Sequence, residues 1–145
     1  MTTVWHRFEA DEPPFSLDFP ADWRVDATED VLGLASPIDD VAVTLTRMRS
    51  PDGDVTPASV KLIFDAFSEG RPLRAEPRWI ASAEWNGLEA EFGPAAHEQP
   101  LSHWLFRVVS NDRRAYAITA TGPRDEVERH RQTCLQIMSS LRFRL

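Results

Sequence analysis

The chain has 145 residues, 42% of them hydrophobic, with five tryptophans. That is the length of one domain with a sizeable core, and the composition excludes a disordered tail. A net charge of −7, with the cations scattered among acids, speaks against a nucleic-acid partner. The one cysteine, Cys134, excludes an internal disulfide and a multi-cysteine zinc site.

Residues 1–14 read as a lead-in, polar and acidic, ending in Pro13-Pro14. They contain no signal-peptide core, and no run in the chain approaches the ~20 apolar residues needed to cross a bilayer. A cytoplasmic location without membrane insertion is the expectation. The domain itself is expected over residues 15–145. Phe15, Leu17 and Phe19 alternate with Ser16 and Asp18, the period-two pattern of a half-buried strand. Trp23 follows a turn at Pro20-Ala21-Asp22 and is expected to close over that strand. Residues 31–36 add a short strand, and Val41 to Met48, rich in β-branched residues, adds a stronger one. Ser50 to Asp54 has turn chemistry.

Thr56 then suits an N-cap and Pro57 the first helical position. Val60, Ile63, Phe64 and Phe67 form an apolar stripe at helical spacing, and Gly70 ends the helix. Arg78 to Trp85 reads as extended, with Asn86-Gly87 as the hairpin turn. Leu88, Ala90 and Phe92 alternate with Glu89 and Glu91, which predicts one wet face. His103 to Val109 reads as a central strand covered on both sides. Ala115 to Thr121 returns as a strand, Gly122-Pro123 breaks it, and a final helix carries Val127, Cys134, Met138 and Leu141 on one side. Strands joined by hairpins, with a helix between them and one at the end, predict an α+β fold: an antiparallel sheet of about six or seven strands flanked by helices.

Several of these segments together resemble the Mog/PsbP-like superfamily. The matching residues are Phe15-Leu17-Phe19-Pro20-Trp23, a hairpin around Trp85-Asn86-Gly87, the strand Arg114 to Thr121, and the ending Ser139-Ser140-Leu141-Arg142-Phe143. The resemblance covers about residues 15 to 143. It implies an antiparallel sheet flanked by helices and, since members act mostly as binding or adaptor proteins, a bacterial protein without catalytic activity. Among bacterial relatives, Eag-type chaperones of type VI secretion have similar length and acidity, so an effector chaperone is one alternative.

The residues themselves offer little chemistry. There is no Gly-x-Ser-x-Gly, phosphate-binding loop or dinucleotide fingerprint. His6, His97, His103 and His130 fall at no short metal-ligand spacing, although His97, Glu98 and His103 flank one loop. No metal and no cofactor are therefore expected. Acid pairs such as Asp39-Asp40 sit in turns, and Cys134 reads as a buried thiol. The tryptophans remain. Trp79 and Trp85 are six apart in an extended reading, which puts them on one face, and Trp104 can join them if the strands pair in register. Arg78 and Arg107 would rim such a patch. Aromatic and arginine-rich patches favour protein contacts, so Trp79, Trp85, Trp104, Arg78 and Arg107 form the expected partner-binding surface for a protein or peptide. The alternative is that the rings fill a core under a helix. A small-molecule or enzymatic pocket near His103 is the remaining reading; the partner's identity and the oligomeric state stay open.

Overall fold

The computed structural model describes residues 3–11, 14–38, 40–48, 56–82, 85–94, 102–111 and 114–143. The fold is α+β, with two antiparallel sheets and three helices among these residues. Part of the expected lead-in is a strand: β1 (Trp5–Asp11) pairs with β2 (Pro14–Pro20), Phe8 opposite Leu17. Its apolar residues Trp5, Phe8 and Ala10 are only partly buried against the core and are not evenly spaced, so the period-two pattern is weak. The short C-terminal strand, β10 (Arg142–Phe143), joins the other side of β2 and completes a three-stranded sheet. Phe15, Leu17 and Phe19 are buried, and so is Trp23, held by a turn in which its N–H donates to the Pro20 carbonyl.

The larger sheet has seven strands. In spatial order these are β3 (Arg24–Ala27), β4 (Val31–Ala35), β5 (Ala42–Met48), β9 (Ala115–Pro123), β8 (Ser102–Ser110), β7 (Asn86–Phe92) and β6 (Leu73–Ala81). Every neighbouring pair is antiparallel. The helix α1 (Pro57–Ser68) connects β5 to β6 and carries the chain from the middle of the sheet to its far edge. Its start follows the expected chemistry, with Thr56 accepting from the Ser59 N–H in a capping box and proline at the first position. Beyond its end Gly70 has φ 78°, a left-handed conformation that costs glycine nothing.

Alternation in the central strands builds two cores. Leu88, Ala90, Phe92, Phe106 and Val108 face α1, where Phe64 meets Phe106 at 5.2 Å and Phe67 stacks on it at 5.6 Å. Leu105, Val109, Tyr116, Ile118 and Ala120 face the other way, into a core shared with the small sheet and the C-terminal helices α2 (Arg124–Arg129) and α3 (Arg131–Ser139). The sequence reads as one C-terminal helix; the chain breaks at His130, which ends α2 and caps α3. None of the three helices is long and apolar enough to cross a membrane.

The hairpin turn lies elsewhere than expected. Asn86 and Gly87 open β7, paired with Ala81 and Ile80, and the turn closes between Ser82 and Trp85. Gly87 answers to crowding and not to turn geometry. A Cβ there would stand 2.8 Å from the Val108 carbonyl oxygen.

Candidate functional site

The five residues of the expected binding surface do not form one patch. Trp79 lies on β6 opposite Leu88, hence on the α1 side of the sheet, and is 55% exposed. Trp85 belongs to the opposite core, is 7% exposed, and donates its indole N–H to the Leu141 carbonyl at 3.2 Å. Counting six residues along an extended chain fails because the Ser82–Trp85 turn lies between them. Trp104 is on the α1 side but half-buried, covered by the Arg71 guanidinium at 3.4 Å.

Arg78 and Arg107 do not rim the rings either. Both face the α3 side and share Glu89, which lies between them in the β6–β7–β8 register. Arg78 donates to Glu89 Oε1 at 2.5 Å and Arg107 to Oε2 at 2.6 Å. Arg107 also donates to Ser139 Oγ of α3 at 2.9 Å. The face of β7 read as wet is thus covered, and Glu89 and Arg107 are buried.

A second charged row runs beside the first. His103 of β8 is 1% exposed. Arg74 approaches its Nδ1 at 2.7 Å, and Glu91 Oε2 lies 3.0 Å from its Nε2. A guanidinium only donates, so Nδ1 carries the lone pair and Nε2–H donates to Glu91. Burial pushes the His103 pKa down, consistent with this neutral tautomer. Glu91 also takes both arms of Arg131, at 2.5 and 3.0 Å, and Arg131 continues to Glu128 at 2.5 Å. The Arg131 guanidinium holds both carboxyls below their ordinary range. Arg131, Leu135 and Met138 of α3 roof a groove of about 270 Å³ over these rows. Sequence reasoning missed Arg74, Glu89, Glu91, Glu128 and Arg131. The one available signal was the acid alternation in β7, and it needed a known register with β8 to be read.

Two groups of metal-ligand type come together. Glu91, His103 and Glu128 converge, but their donor atoms already serve Arg131 and one another, and that cation opposes a second one. Asp40, in the turn before β5, meets Glu126 and His130 at α2. Burial raises the Asp40 carboxyl, but the hydrogen bond it accepts from Ser36, together with the neighbouring Glu126 and His130, overcomes this and holds it at about 2. Arg129 stands 3.7 Å from Asp40 and binds Glu126. The loop group considered from sequence, His97 with Glu98, lies outside the described residues. Cys134 is fully buried, and burial pushes its thiol up to about 12, so it is a packing residue and not a nucleophile.

No protein-family model matches the chain, and no curated protein is significantly similar to it. Solved structures are. The solution structure of cyanobacterial PsbP (CyanoP) from Synechocystis sp. PCC 6803 matches with a TM-score of 0.70 at 13% identity, over 99% of this chain and 95% of that one. A crystal structure from Bacteroides thetaiotaomicron VPI-5482 matches with a TM-score of 0.67 at 10% identity. It covers 96% of this chain and 48% of that one, so this chain spans about half that protein's length. At such identities the likeness is one of fold, and the fold is PsbP-like.

Proposed function

We propose that this domain acts without catalysis, binding a protein or peptide at the β6 edge of its large sheet. The observation behind the reading is Trp79. It is the largest exposed apolar side chain among the described residues, and it stands on an edge strand. Leu73, 47% exposed, pairs opposite Phe92 on the same face. Indole is the side chain most enriched where interfaces gain their energy. From Arg78 to Ala81 the β6 register is regular, whereas bulges and Pro77 interrupt it before Arg78. A partner segment pairing with the outer edge therefore has a short ladder beside Trp79 to use. Arg78, exposed on the other face of the same strand, already holds Glu89, which leaves the Trp79 face to apolar contact. An Eag-type chaperone, holding an apolar effector segment, is one specific form of this activity.

The test is recovery of a partner from the native host, with Trp79→Ala against wild type. An exposed side chain contributes little to folding, so Trp79→Ala keeps its melting temperature, and partner recovery falls at least about tenfold. Leu62→Ala, on the outer side of α1, serves as the exposed apolar control and leaves recovery unchanged. Equal recovery from folded Trp79→Ala overturns the assignment.

A further inference from the structure

The small sheet does not close completely on the large one. Between them lies a cleft of about 180 Å³, walled by Phe8, Phe15, Leu32 and Leu45. Tyr116 lines it from β9. Its ring is fixed between Phe15, with centroids 5.3 Å apart, and Phe143, stacked at 5.5 Å. The residue is 1% exposed, and no group among the described residues meets its hydroxyl at full hydrogen-bond geometry, although the Arg114 and Arg47 side chains both stand near it. A buried hydroxyl left without a partner is destabilising, and phenylalanine would fill the same space without that cost. Directly opposite Tyr116 in the β5–β9 register is Arg47, which lines the same cleft. No carboxylate among the described residues pairs with its guanidinium.

A hydroxyl without a full hydrogen bond beside a cation without a carboxylate, both among the described residues and next to the apolar wall of the cleft, is an acceptor-seeking arrangement. We propose that this cleft binds a small organic acid, whose carboxylate takes hydrogen bonds from the Tyr116 hydroxyl and the Arg47 guanidinium while its apolar body lies against Phe8, Phe15, Leu32 and Leu45. Burial raises the Tyr116 pKa, so the phenol keeps the proton it donates. Asp11, Glu29 and Asp30 also line the cleft; Glu29 and Asp30 have contacts of their own, and the three charges disfavour polyanions such as nucleotides. The volume is below that of a drug-sized pocket and suits a guest of about ten non-hydrogen atoms.

Phenylacetate is a suitable probe, with phenethylammonium as the same kind of body carrying the opposite charge. Titration followed by amide NMR is expected to shift Leu32, Leu45 and Tyr116 with phenylacetate, and to show at least tenfold weaker binding of phenethylammonium. Tyr116→Phe and Arg47→Gln are each expected to weaken phenylacetate about tenfold or more. Tyr116→Phe keeps or raises the melting temperature, because it removes the orphaned hydroxyl; loss of binding in that variant is therefore not loss of fold. No shifts at millimolar phenylacetate, equal response to acid and amine, or unchanged affinity in both variants overturns the proposal.

Discussion

Glu89 holds two arginines, one exposed and one buried. Deleting its carboxylate leaves Arg107 as an uncompensated charge beneath α3, with Ser139 as its remaining side-chain partner among the described residues. Glu89→Ala is therefore expected to destabilise by about 3–5 kcal/mol in denaturant unfolding, and Glu89→Ala with Arg107→Met to recover much of it. No recovery in the double variant would mean that the pair does not act as a unit. His103 gives a pH dependence. It faces Arg74 from β6, Glu91 from β7, Arg131 from α3 and Glu128 from α2. Unfolded histidine titrates near 6.5, and the folded group titrates lower. Between those values the unfolded chain binds more protons, so stability is complete above 6.5 and falls as the pH drops below it. His103→Gln should flatten the melting temperature between about pH 7.5 and 5, and an unchanged slope would contradict this account. These residues were hard to read because periodicity tells which side chains share a face, not which charges meet across strands. His103 and Arg107 looked like members of an apolar run, and only pairing with β7 reveals Glu91 and Glu89 as their partners.

The elements with local signals were the legible ones. Thr56-Pro57 and Gly70 bound α1 through backbone chemistry contained in those residues, and the alternation at Phe15, Leu17 and Phe19 marks β2. The motif at the C-terminus also acquires a physical meaning. Ser140 Oγ accepts from the Asp18 N–H at 2.8 Å and donates to the Ile137 carbonyl at 2.6 Å, Leu141 is buried, and Arg142–Phe143 pair with β2. The N-terminal and C-terminal motifs of the sequence are thus two sides of one junction. Misreadings arose where a residue type has two physical uses. Asn86-Gly87 has the chemistry of a tight turn, yet Gly87 is there because the Val108 carbonyl leaves no room for a Cβ. The two uses make opposite predictions. Gly87→Ala is expected to cost about 1–3 kcal/mol by overpacking, while Asn86→Ala, at an exposed strand position, stays within about 0.5 kcal/mol. A large loss from Asn86→Ala, measured by chemical denaturation, would restore the turn reading.

At the scale of the molecule, a sheet covered by α1 on one side and by the small sheet, α2 and α3 on the other is reached at 13% identity to CyanoP. The architecture therefore rests on pattern: alternating apolar residues in β7, β8 and β9, the stripe of α1, and the junction of β2 with the C-terminus. The alternation of β2 and β7, the strand segments of β8 and β9 and the stripe of α1 were visible in the sequence, which is why the fold class could be read, whereas the junction of β2 with the C-terminus appears only in the strand pairing. The proposed docking surface was not, because exposure is a property of the assembled sheet. Trp79 and Trp85 look equivalent in sequence, and only the position of the turn sends one to the core and leaves the other on the open edge. The central claim is that this edge docks a protein. Site-specific photo-crosslinking tests it most directly, with a benzophenone side chain placed at position 73, on the Trp79 face of β6, or at position 62 on the outer side of α1, in the protein expressed in its native host. The account predicts one discrete crosslinked species from position 73 and none of that mass from position 62. No crosslinked species from position 73, or the same species from both positions, would contradict it.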